Sequence, residues 1–153
     1  MKSLLLVALL LMSSASFALD EIISQRTNLA FQPTLAKLQR IILDQQYSVS
    51  LVQRCDYGLK DAGYNTDKYR IVFFGTHKDI KQISDSHPEL SPFLPLRIAV
   101  IAENDETILS VMNPGVFLET VSDQKSVKIV KSWIKDIAVI LKYMKNDELN
   151  PFD

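Results

Sequence analysis

The sequence predicts an α+β fold: a two-layer sandwich in which one antiparallel sheet of about five strands is packed by a long C-terminal helix. Three observations carry this. Short β-branched and aromatic runs, of which residues 69–74 (YRIVFF) are the clearest, recur between turn-forming clusters and suit a packed sheet. Residues 96–102 and 107–112 are two such runs separated by Glu103-Asn104-Asp105-Glu106, a polar stretch with the chemistry of a hairpin tip. The chain then closes on a helical periodicity over residues 123–145.

The first element is a leader. Lys2 precedes an unbroken apolar run over residues 4–12, which ends on the small-x-small step Ser16-Phe17-Ala18. That is the pattern of a secretory signal peptide, residues 1–18, cut after Ala18. A membrane-spanning helix needs roughly 20 apolar residues, so this run is too short to be one. The expected product is a single domain, residues 19–153, periplasmic or secreted, with no membrane insertion after cleavage. The one cysteine, Cys55, is not at the cut, so no lipid anchor is expected. Nor does the fold depend on an internal disulfide.

The net charge of the whole chain is −1, and loss of Lys2 makes it one unit more negative. Bulk charge therefore gives no reason for attraction to polyanions, and no nucleic-acid partner is expected. The 47% hydrophobic content is ordinary for a globular protein and excludes disorder as the description of the chain.

Residues 20–29 read as a first strand. Pro33 suits the first turn of a helix, where its missing N–H is not needed, and Leu35, Leu38 and Ile42 extend that helix over residues 34–45. Residues 49–55 and 69–74 are strands, and the turn-rich segment between them holds one short helical turn. Residues 77–86 form a short surface helix that stops at His87-Pro88, because a residue before proline is pushed out of helical geometry. Pro92 and Pro95 rule out regular structure up to the strand at 96–102. After the hairpin, Asn113-Pro114-Gly115 supplies a cap and a first-turn proline for a brief helical segment over 116–119.

On the last helix, Val127, Val130, Ile134, Ile137, Leu141 and Met144 form one stripe, expected to cover the sheet. Lys125, Lys128, Lys131, Lys135 and Lys142 lie on the far side, a solvated face. Ile129, Trp133 and Ile140 form a second apolar row, widening the arc to roughly half the circumference against the roughly 100° a sheet-facing helix requires. Either the first helix covers that row or it is a subunit interface, and a homodimer is expected on the second reading.

Catalytic chemistry is thinly represented. His77 and His87 are ten residues apart, about 15 Å along one helix, and neither HxH, HxxxH nor CxxC occurs, so no metal or other cofactor is expected. His77 reads as a helix-terminal residue near Asp79 and His87 as part of a solvent-facing turn. Cys55 lies between Arg54 and Asp56, whose charges oppose each other's effect on it, and reads as a small buried hydrophobe. There is no GxSxG and no phosphate-cradling glycine loop. Arg54, Asp56, Gly75, Thr76, His77, Arg97 and Asn113 fall at predicted strand ends, where a small-molecule or peptide ligand is expected if they gather under a covering helix. Capping and turn roles are the alternative for each.

Residues 69–114 resemble the family described as domain of unknown function 302. The resemblance is carried by Ile71-Val72-Phe73-Phe74, His87-Pro88-Glu89-Leu90, Leu94-Pro95, Ile98-Ala99-Val100 and Asn113-Pro114, in that order. It implies a two-layer α+β domain of the TATA-binding-protein-like type, commonly dimeric, and supplies no activity. Many members carry a cysteine directly after the Leu-Pro step, where this chain has Leu96, so no thiol role passes to it.

Together these features favour an exported, non-catalytic binding or interaction module, homodimeric, over the alternative of a periplasmic enzyme or redox accessory with a Cys55/His77-centred site.

Overall fold

The computed structural model describes residues 21–63 and 68–145, and the expected leader lies outside the described residues. In chain order the elements are β1 (Ile22–Thr27), α1 (Phe31–Asp44), β2 (Ser48–Arg54), α2 (Asp56–Asp61), β3 (Tyr69–Gly75), α3 (His77–Ser86), a 3-10 segment (Pro88–Phe93), β4 (Leu96–Glu103), β5 (Glu106–Met112), a second 3-10 segment (Pro114–Glu119) and α4 (Gln124–Lys145). The five strands form one antiparallel sheet in the order β1-β5-β4-β3-β2, so this is an α+β fold.

Two segments differ from expectation. Helix α1 starts at Phe31, three residues early, because Pro33 still lies in the first turn; the first amide that needs a partner is that of Thr34, which donates to the Ala30 carbonyl at 3.0 Å. The proline-rich stretch before β4 is a 3-10 helix and not irregular chain. Its bonds start from Leu90 to His87 and end with Leu94 to Ser91, and neither needs an amide from Pro88 or Pro92. The Leu94–Pro95 peptide is cis.

Alternate side chains of the sheet decide where the core sits. Arg70, Val72 and Phe74 of β3, Leu96, Ile98 and Val100 of β4, and Leu109 and Val111 of β5 point to the helical side and are buried. Against them lie Leu38 and Ile42 of α1 and Val130, Ile137, Ile140 and Met144 of α4. Each fully buried side chain of this size contributes about 1.5–3 kcal/mol.

The buried face of α4 is rotated from the expected one. Buried positions are Ser126, Val130, Trp133, Ile137, Ile140, Leu141 and Met144, which centres the arc about 40° away from the stripe drawn through Val127 and Ile134 at 100° per residue. Trp133 and Ile140 make the difference: both are buried, whereas Val127 and Ile134 are only partly so, and Ser126, which an apolar count leaves out, joins the buried arc. Trp133 sits within the covered arc at 1% exposure, edge-on to Phe117 of the second 3-10 segment at 6.4 Å. Ile140 is fully buried and Ile129 partly so. The chain's own atoms thus cover Trp133 and Ile140 and leave Ile129 partly exposed, so burial gives no support to the subunit interface expected at Ile129, Trp133 and Ile140. No helix among the described residues is long and apolar enough to cross a membrane.

Candidate functional site

Antiparallel pairing sends neighbouring strands in opposite directions, and this divides the residues expected to gather at strand ends. Arg54 pairs with Arg70 near the start of β3, while Gly75 at its far end pairs with Ser48. Arg54, Cys55 and Asp56 therefore lie at one end of the sheet, and Gly75, Thr76, His77 and Asn113 at the other, about 20 Å away along the seven-residue β3. The expected cluster is two separate groups. A Cys55/His77 centre is broken by the same distance, since proton transfer needs roughly 2.6–3.2 Å or one bridging water.

At the first end, Asp56 and Arg70 form a buried ion pair; Arg54 adds a contact at 3.6 Å and lies 3.7 Å over the Tyr57 ring. Burial works against ionisation of Asp56, but a hydrogen bond from its own amide and the Arg70 and Arg54 guanidiniums outweigh it and hold the carboxyl below the usual range. Cys55 precedes α2 and is half-buried, not the fully buried strand residue expected. Burial, with the charge of Asp56, pushes its thiol up, which lowers the thiolate fraction a nucleophile requires.

At the other end the roles are capping. The Thr76 hydroxyl accepts from the Asp79 amide at 3.1 Å and starts α3, and the Asn113 side chain accepts from the Gly115 amide at 2.9 Å and starts the second 3-10 segment. At Gly75 a Cβ would stand 2.6 Å from Ile80, so glycine lets α3 close on β3. His77 is exposed at the first position of α3. His87 is not in a solvent-facing turn. It is buried, with its Nε2 2.9 Å from Asp123, the residue that accepts from the Lys125 and Ser126 amides at the start of α4. Among the described residues, no group of three or more His, Cys, Asp or Glu is placed to hold a metal ion.

The remaining expected residue, Arg97, leads to a surface that strand-end reasoning missed. The two long helices, α1 and α4, pack on one face of the sheet. The strand register lays out the other as cross-strand rows: Ile22, Met112, Arg97, Phe73 and Leu51; then Ser24, Ser110, Ala99, Ile71 and Gln53; then Arg26, Ile108, Ile101 and Tyr69. The middle row carries small side chains at Ser110 and Ala99, which leaves a groove of about 520 Å³ between Arg97, Met112 and Tyr69, with Val116 and Glu21 at its rim. Among the described residues Arg97 makes no ion pair, so an apolar groove holds one uncommitted cation. Burial pushes the Tyr69 hydroxyl up, the nearby Cys55 adds to this and Arg97 opposes it. Tyr69 is thus a neutral donor at the opposite end of the groove from the guanidinium.

The signal for this face was in the sequence: residues 69–74 are apolar at both parities apart from Arg70, whereas a sheet face left to water alternates with polar residues.

A family model described as "Domain of unknown function DUF302" matches residues 23–144. Among solved structures, an uncharacterized conserved protein DUF302 from Bacillus stearothermophilus is similar, with a TM-score of 0.72 and 15% sequence identity over 83% of this chain and 100% of that one. At that identity the likeness shows the fold alone. No curated protein matches the sequence.

Proposed function

Starting from the fact that the chain belongs to the DUF302 family, whose description assigns no activity, we propose that it is an exported, non-catalytic binding module. It takes a small amphipathic anion, an apolar body ending in a carboxylate, on the open face of its sheet. Export rests on Lys2, the apolar run over residues 4–12 and the Ser16-Phe17-Ala18 step. The single observation that carries the reading is Arg97, a guanidinium with no ion pair among the described residues, opposite Phe73 across β3 and lining a groove with Met112, Ile71 and Ala99. Few polar groups placed in a largely apolar recess are what fixes a small ligand's orientation.

A second copy of the chain is the competing occupant. Face-to-face stacking would bury Arg97 against Ile, Phe and Met side chains, and an unpaired buried charge is costly. An anionic head group removes that cost. The homodimer expected from the C-terminal helix has lost the apolar row that motivated it and gains little from this face.

The test is a comparison of head groups on one chain length. Thermal unfolding of residues 19–153 is followed with decanoate, decanol and decylammonium, each below its micelle concentration. A ligand that binds only the native state raises the midpoint in proportion to RT ln(1 + [L]/Kd). Decanoate is expected to raise it and the other two to leave it within error; equal shifts for all three, or none, overturn the reading.

A further inference from the structure

From the lysine face of α4 and α3 we infer a second interaction surface, one that adsorbs the protein to anionic phospholipid headgroups and turns the ligand groove away from the bilayer. Helix α4 carries six lysines against one carboxylate, Asp136, in a chain whose overall charge is −1. Asp136 is turned inward to other duties, accepting from the Tyr47 hydroxyl at 2.7 Å and from Ser132 at 3.0 Å. Lys125, Lys128, Lys131, Lys135 and Lys142 are all exposed, and among the described residues none of them forms an ion pair.

Spacing makes this more than a solvated helix. Lys125, Lys128 and Lys131 follow at three-residue steps and Lys135 at four, so successive side chains are neighbours whose like charges destabilise a helix. Among the described residues no ion pair of these lysines offsets that repulsion. Lys128, Lys135 and Lys142 stand seven apart, a nearly straight line about 21 Å long, on the side of α4 opposite its buried arc. Helix α3 borders this row without adding net charge: Lys78 and Lys81 line the same cleft as Lys125 and Lys128, a recess of about 590 Å³ whose carboxylates are Asp79 and Asp85, the latter paired to Lys81 at 2.6 Å. A row of excess cations along α4 matches a surface of lipid phosphates, and each lysine near such a surface adds attraction that salt screens. Because the helical layer and the groove lie on opposite faces of the sheet, adsorption through α4 leaves Arg97 facing outward.

The experiment measures co-sedimentation of residues 19–153 with phosphatidylglycerol/phosphatidylcholine vesicles and with pure phosphatidylcholine vesicles, from 50 to 300 mM NaCl. Binding is expected to the anionic vesicles only and to fall steeply with salt. The double variant Lys128→Glu/Lys135→Glu is expected to lose at least tenfold in partition, while Lys60→Glu/Lys68→Glu, an equal charge change outside α3 and α4, loses under threefold; circular dichroism confirms that both are folded. Three results overturn the proposal: no preference for anionic vesicles, equal losses for the two variants, or tighter binding to double-stranded DNA than to the vesicles. The ligand comparison is made without lipid, so either reading can fail alone.

Discussion

Replacing Arg97 by glutamine is the sharpest test of the groove, because the side chain is placed to matter for a ligand and for little else. It projects from the uncovered face of β4, is exposed, and makes no ion pair among the described residues. Arg97→Gln is therefore expected to change folding stability by no more than about 0.5 kcal/mol, the range of surface substitutions that break no buried contact. Its effect on an anionic ligand is larger. A hydrogen bond to a charged group is worth about 1.5–3 kcal/mol, and partial exposure places this one near the lower limit. At 1.4 kcal/mol per factor of ten, the loss is about tenfold in Kd. Isothermal titration of decanoate into wild type, Arg97→Gln and Arg97→Lys measures it, with lysine expected to recover part of the affinity because it keeps the charge but not the fork geometry. An unchanged Kd in Arg97→Gln refutes the assignment. So does a loss of folding stability above about 1 kcal/mol, which would make Arg97 a structural residue.

Other expectations concern the frame behind the site. Trp133→Ala should cost about 3–5 kcal/mol in urea unfolding, as large-to-small changes in a packed core do; a cost under about 1 kcal/mol would return Trp133 to the surface. Tyr47→Phe removes only the hydroxyl that joins the end of α1 to Asp136 of α4 at 2.7 Å, and about 1.5–3 kcal/mol should go with it. A double-mutant cycle with Asp136→Asn that shows no coupling would dismiss that bond. The Ser126 and Lys125 amides, with the His87 ring, hold the Asp123 carboxyl well below its ordinary range. A carboxyl depressed by folding stabilises the native state above its unfolded pKa of about 3.9 and ceases to do so as the pH falls through the lower folded value. The stability gap between wild type and Asp123→Asn should therefore be full at pH 6 and shrink steadily below about pH 4, and a gap that widens in acid would reverse the sign of the argument.

Local signals made the fold legible. The hairpin tip, the YRIVFF strand, the Thr76 and Asn113 caps and the terminal periodicity each depend on residues close in sequence, and the elements appear where those signals lie. Burial and strand direction depend on the whole sheet, and there the reading failed. On α4, Trp133 and Ile140 are buried while Val127 and Ile134, counted in the sheet-facing stripe, are only partly so. His87 looked like a turn residue because its partner, Asp123, is 36 positions away. Arg54 ends one strand and His77 follows another, yet antiparallel pairing puts them at opposite ends of the sheet. Arg97 alone of the expected site residues lines the groove, since its parity on β4 sets which layer it faces and not its nearness to a strand end.

The open face is also guarded in a way that favours a small occupant over sheet extension. An unpaired edge strand invites another strand, and proteins blunt such edges with bulges, twists and charge. Both edges here carry such devices: β2 has an irregular register between Val49 and Leu51, and on β1 Arg26 pairs with Glu103 and with Glu106, the latter at 3.0 Å. Nothing comparable protects the centre, where Phe73, Ile71 and Ala99 stay uncovered around Arg97. A chain that disfavours lateral pairing while leaving open a largely apolar recess, with Arg97 in it and Glu21 at its rim, is arranged for something that enters from above the sheet. Ala99→Phe supplies the corresponding check: added bulk in the smallest row of the groove should abolish the decanoate shift and leave the free protein's midpoint intact, because position 99 lies on the face of the sheet opposite α1 and α4.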